Sequence, residues 1–457
     1  MASDIRADGE AAGLIEGRPS YGDLSREIAG VSLGTRRPRF FWLGFAFFFL
    51  LALLFLFSVT WLLAIGIGTL GLNIPLAWGV PITNTVWWIG IGHAGTLISA
   101  ILLLLRQKWR NSINRFAEAM TLFAASIAGL FPILHLGRPW FAYWLLPLPV
   151  THMPWPQWRS PLTWDFFAIA TYLTVSLVFW YMGLIPDLAT FRDRAKSRGQ
   201  QIVYGVLALG WRGSVFHWAR YEEAYYLVAA LATPLVVSVH SVISLDFTVA
   251  ITPGYHSTIF PPYFVAGALY SGFAMVLTIA VPLRSAFRLE NVITEKHLDN
   301  GAKVMLASGA IVAYAYVNEA FYAWYSGDEV HRYAMWARAF GPYAPTFWVM
   351  IAANIGSLVP LSFGAVRRRP WVLFAIALVI NLGMWLERYI IVVSSLARDY
   401  LPSTWDTTTP TWTDYGLIFG SIGLFFALMF LFVRLLPLIT IYEVAELAHE
   451  EEAEAAP

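Results

Sequence analysis

Ten separate stretches of about 20 apolar residues, each long enough to cross a hydrocarbon core of roughly 30 Å, leave this chain one environment in which to fold. They lie near residues 40–66, 81–105, 116–136, 165–185, 224–246, 260–283, 303–325, 345–367, 371–396 and 415–437. Within lipid every backbone polar group must be satisfied inside its own segment or a closed barrel, and runs of this length meet that requirement as helices. With 58% hydrophobic and only 13% charged residues in 457, the composition agrees. The expected fold is an all-α integral membrane protein of ten transmembrane helices.

Charge sets the direction, because Lys and Arg accumulate in cytoplasmic loops. With the N-terminus inside, 24 of the 30 basic residues fall in inner segments and five in outer loops: Arg138, Arg159, Arg332, Arg338 and Arg398. The remaining one, Arg388, lies within a span. One missed helix would scramble this bias, so ten spans and two cytoplasmic termini support each other. Residues 1–39 then form a polar cytoplasmic arm without an apolar run of signal-peptide type, expected to be mobile or to strap a partner. Residues 441–457 form an acidic, helix-capable tail expected to face solvent.

Cysteine is absent, which rules out disulfides, thiolate-held iron–sulfur clusters and c-type haem attachment on this chain. A metal centre would use His or carboxylates, or belong to a partner. The net charge of +1 argues for no nucleic acid or acidic substrate.

Charged groups in hydrocarbon are costly, so those retained face a bundle interior, a wet cavity or each other. The candidates are His93 in GIGHAGTL, Glu118, His135, Asp165, His240 and Asp246 in VHSVISLDF, Glu319 in VNEAF, and Glu387 with Arg388 in WLERY. Most fall in the outer half. Glu118 does not: it stands in the first turn of an inside-starting helix, where a carboxylate complements the macrodipole. Asp165 has a similar structural reading, Glu387–Arg388 reads as interhelical ion pairs, and His93 would be satisfied by a bond across helices near Thr96 and Ser99.

The stretch FPILHLGRPWF ends the third span with His135, and SPLTWDFF begins the fourth with Asp165 on the same side. The loop between them is rich in Trp and Pro, so the two can share one depth on adjacent antiparallel helices. A carboxylate, a histidine and an aromatic approach at the outer interface suit quinol oxidation. The ring diffuses in lipid, and its two hydroxyls lose protons as two electrons leave, so a tuned acceptor takes a proton and a second polar group orients the other oxygen. Trp and Tyr of the loop would supply a lid and headgroup-level anchoring.

Together PITNTVWWIGIGHAGTLISA, FPILHLGRPWFAYWLLP, SPLTWDFFAIATYLTVSLVFWYMGLIPDLA and HSVISLDFTVAITPGYHSTIFPPYFVAGALYSG resemble the NrfD/PsrC family of quinone-interacting membrane subunits over about residues 40–440. The ten-helix length is most similar to the ActC-type subunit of bacterial alternative complex III. The resemblance implies two four-helix bundles, spans two to five (about 81–246) and six to nine (about 260–396), flanked by the first and last helices. It also implies a quinol pocket at the outer end of the first bundle, with menaquinol or ubiquinol as substrate and no haem or iron–sulfur cluster on this chain. His135 and Asp165 match the quinol-contacting positions, with Arg138 and Trp140 beside them. His93, His240, Asp246, Glu387 and Arg388 match polar positions tied to proton movement. The implied setting is a bacterial inner membrane complex of a respiratory or photosynthetic chain. The implied partners are a periplasmic iron–sulfur protein, a homologous ten-helix membrane subunit and cytochromes of the c type.

Three other readings are open at this level. A sister subunit of the same complex, ActF-like, shares the helix plan without binding quinol, as a structural or proton-conducting element. A secondary transporter requires spans broken near the midplane, and only GIGHAG suggests one. A haem-b cytochrome needs two histidines at one depth, whereas His93 reads as central, His240 as outer and His135 as interfacial.

Overall fold

A computed structural model describes residues 13–17, 19–34, 40–146 and 158–454. Among these residues it is all helix and loop, and ten helices are long and apolar enough to cross a membrane: Phe41–Ile65, Val80–Leu104, Asn114–His135, Pro161–Arg194, Val215–Thr248, Phe260–Phe287, Glu295–Tyr325, Ala344–Ser362, Pro370–Ser394 and Trp412–Leu435. We number them as spans one to ten. Spans four, five and seven, of 34, 34 and 31 residues, outrun the apolar windows. Each continues past the bilayer at the arginine-rich end, where polar residues keep the helical hydrogen bonds but leave no hydropathy signal.

Spans two to five pack against one another, as do spans six to nine, and spans one and ten pair with each other alongside span three, all around one continuous apolar core. The two groups meet through spans two, five, six and nine. Burial follows this order: the apolar windows of spans two and six are 89% buried, whereas that of span one, apolar on every side, is 17% buried. Helix association in lipid runs on close packing of small residues rather than on hydrophobicity. The GIGHAG stretch supplies them. A Cβ on Gly95 would come within 2.0 Å of the Ala117 carbonyl oxygen, so only glycine lets spans two and three approach this closely. Span two runs on through GIGHAG and then widens into a π-helical turn at Leu97–Ile101, so its backbone is not unwound as a transporter site would require.

Two expectations about the termini are corrected. Tyr21–Ser32 is a helix laid against the arginine-rich end of its own chain: Leu24 and Ile28 are buried, and Ser32 Oγ donates to the carbonyls of Val433 (3.0 Å) and Leu436 (2.7 Å). The rest of the expected arm, residues 1–12, 18 and 35–39, lies outside the described residues. The acidic tail likewise does not simply face solvent. Within the helix Ile441–Glu454, Val444 and Leu447 form a buried stripe three residues apart, and Glu443 is buried among cations. Both terminal helices therefore close the same end of the bundle.

Candidate functional site

Span three is capped at the His135 end by Gly137, whose φ of +68° turns the chain out of the helix and explains the glycine in HLGRPW. A 3₁₀ helix, Pro139–Leu145, follows. Gly129 of span three faces Ile169 of span four. At 1.5 Å per residue, His135 rises about 9 Å beyond that contact and Asp165 about 6 Å, which puts both near one depth. They are not joined directly: His135 Nδ1 and Asp165 Oδ1 are both buried without a protein hydrogen-bond partner of aligned geometry.

Asp165 meets Asp246 instead. The two carboxyl groups, from spans four and five, lie beside each other, and Oδ1 of each is without a hydrogen-bond partner. Two carboxylates side by side repel when both are charged, so the pair is suited to taking up a proton. The sequence reading assigns Asp246 to the proton route; the fold places it beside Asp165, the residue expected to be catalytic. Arg138 and Trp140 lie exposed on the loop, Trp140 to 62%, and neither reaches the carboxyl pair. Residues 147–157 of the aromatic loop lie outside the described residues.

His93 and His240 form a second unit. Their rings are 4.7 Å apart between centroids and fully buried, and no ring nitrogen of either has an aligned hydrogen bond. The assignment of His93 to a central depth and His240 to an outer one is thus corrected: spans two and five cross so that the two meet. Rings in contact leave no room for a porphyrin between them. Nor is His93 bonded to Thr96 and Ser99. Thr96 Oγ1 pairs with Tyr172 Oη (3.0 Å) and Ser176 Oγ (3.4 Å) on span four. The Arg388 guanidinium lies 4.0 Å over the Phe264 ring, which in turn packs 5.9 Å from His240. Glu387 sits 2.9 Å from Arg388, and Tyr316 of span seven donates to its other oxygen. His93 with His240 and Arg388 with Glu387 are thus two pairs, one in each bundle, with the Phe264 ring packed between them.

The arginine-rich end holds a third unit that the sequence reading does not foresee. Glu118 is not a first-turn carboxylate, because its helix starts at Asn114 and its side chain is buried. It accepts from Arg115 (2.8 Å) and Tyr225 (3.2 Å). Arg115 also reaches the Gly183 carbonyl (2.6 Å) and lies 3.6 Å from Asp187, while Arg110 pairs with Glu443 at 2.9 Å. Asp187, an acid inside the apolar run GLIPDLA, is the signal that could reveal this unit. Glu443 offers none, since a distant tail supplies it.

Among the described residues no three His or acidic side chains gather as a metal site. What the fold defines is a ten-helix membrane protein with a carboxyl pair and a histidine at one end of a four-helix bundle, and further buried polar groups beneath them. Residues 68–398 match the family described as polysulphide reductase, NrfD, and the chain belongs to that family of integral membrane subunits. A protein of Halobacterium salinarum described as a putative membrane subunit of dimethyl sulfoxide reductase is 25% identical over 401 residues, which cover 80% of this chain and 85% of the relative. The chain is thus a multi-pass integral membrane protein of the NrfD family.

Proposed function

We propose that this chain oxidises quinol at the His135 end of its first bundle and hands the electrons to an iron–sulfur partner docked over that end. The observation that carries the reading is the juxtaposition of Asp165 and Asp246, a half-buried carboxyl pair at the depth of His135 in which each acid has an oxygen without a hydrogen-bond partner. The relative named as a membrane subunit of a reductase supports it, because a reductase needs an electron source and a membrane subunit has access to a lipid-soluble donor.

The chemistry balances with groups on this chain. A quinol loses two O–H protons and two electrons to become a quinone. One proton goes to the open oxygen of the carboxyl pair and the other to His135, and the two electrons leave for the partner's clusters. Proton release then needs only a short path from the pair to the adjacent interface. The ActC-type subunit of alternative complex III is the member of the family that this reading favours over a non-quinol sister, because His135 and Asp165 are both present. The charge bias supports an orientation with this end outside the cytoplasm, and the reading sets the chain in the inner membrane of a bacterium.

In the assembled complex, Asp165→Asn should lower quinol oxidation by about 10²–10⁴-fold, the usual worth of a positioned proton acceptor. Turnover unchanged in a fully assembled variant would remove the site from this location.

A further inference from the structure

The second bundle contains a cavity that the reading above does not use. It has a volume of about 210 Å³ and lies between spans six, seven, eight and nine and the short helix Glu329–Phe340. An apolar cavity of about 150 Å³ is enough to bind benzene, so this one has room for a single substituted ring. Its walls are aliphatic and aromatic, including Met350 and Ile351. Its mouth lies between Val317 and Trp348, exposed to 65% and 51% on spans seven and eight. Glu319 is six residues from the end of span seven, or about 9 Å along the helix, so the mouth opens sideways into hydrocarbon rather than to water.

The floor is polar and arranged. Glu387, 1% exposed, accepts from Tyr316, whose own hydroxyl accepts from Asn354 Nδ2 at 2.7 Å. The other Glu387 oxygen, Oε1, has the Arg388 charge 2.9 Å away but no aligned hydrogen bond. At the rim, Arg338 is held by Glu319 (2.6 Å), the Gly254 carbonyl (2.8 Å) and Ser395 Oγ (2.8 Å), while its Nε is left without a partner. A π-helical turn, Ile390–Ser394, begins three residues after Glu387 and sets Ile390 and Ile391 against the cavity. Such turns are frequent at functional sites because they spend regular hydrogen bonding on side-chain placement.

We propose that this cavity is a second binding site for a lipid-soluble molecule with an oxygen-bearing ring, of the quinone class. The ring lies on the Glu387–Tyr316 floor and its tail leaves between Val317 and Trp348. An acyl chain alone would use the walls but leave Glu387 Oε1 and Arg338 Nε without a hydrogen bond, whereas a ring hydroxyl can donate to the first and a ring oxygen can accept from the second. The site shares no residue with the His135–Asp165–Asp246 group, so it stands or falls independently of it.

The test is photolabelling of the full-length chain in its native membrane with a short-tailed azidoquinone, followed by peptide mapping. Label is expected on the segments carrying Trp348 or Met350. It should fall at least tenfold in Ala320→Phe, which fills the mouth without touching the floor, and in Glu387→Gln. It should persist in Asp165→Asn, which separates this site from the first. Two results would overturn the proposal: no label on these segments while the first-bundle segments are labelled, or equal labelling by a photoreactive phospholipid that excess quinone does not displace.

Discussion

At the scale of single residues, the membrane interior forces each ionisable group to declare a partner, and the partners sort the groups by role. Glu118, Arg115 and Asp187 are mutually paired, whereas His93 and His240 touch each other yet leave their nitrogens unpaired by aligned bonds. The second arrangement suits groups that exchange protons rather than hold the fold. His240→Ala should therefore assemble normally but slow quinol turnover and external acidification in liposomes. Wild-type rates and pH profile in that variant would make the histidine pair structural. Gly95 acts through size alone: Gly95→Val should strip spans two and three of their contact and abolish accumulation of the folded chain, read as loss of a monodisperse peak after detergent extraction.

At the scale of elements, the helices are legible wherever lipid dictates their composition. All ten spans lie where apolar runs of about 20 residues place them, and the extra turns of spans four, five and seven are hidden because they leave the bilayer as polar helix. The terminal helices escape a sequence reading for a related reason. EVAELAHEEE looks solvated by charge count, but its carboxylates face a cationic end that the rest of the chain builds: Arg110 and Asn114 both donate to Glu443, and Lys108 pairs with Glu450 at 3.0 Å. Removing one partner of a buried pair leaves the other charge uncompensated, at a cost of about 3–5 kcal/mol. Glu443→Ala should lower the thermal midpoint of the purified protein by several degrees and speed amide exchange in the C-terminal helix. The exposed Glu452→Ala should do neither. Equal behaviour of the two variants would mean that the tail is not anchored through Glu443.

At the scale of the whole molecule, the two bundles meet where Arg388 stacks on Phe264 beside His240, so one phenyl ring separates the polar groups of one bundle from those of the other. The sequence shows the ingredients of the candidate site, since an acid or histidine in an apolar run is conspicuous. It does not show their pairing, because contacts between spans depend on crossing angle and depth, to which a chain-order reading is blind. Asp246 joins Asp165, not the histidines, for that reason. The central claim is that quinol reacts at the His135 end of the first bundle. A structure of the intact complex with a bound quinone analogue tests it most directly. The ring oxygens should lie within hydrogen-bond reach of His135 and of the Asp165–Asp246 pair, between spans three, four and five. A map in which that end of the bundle holds no ring, with the analogue bound only elsewhere on the complex, would contradict it.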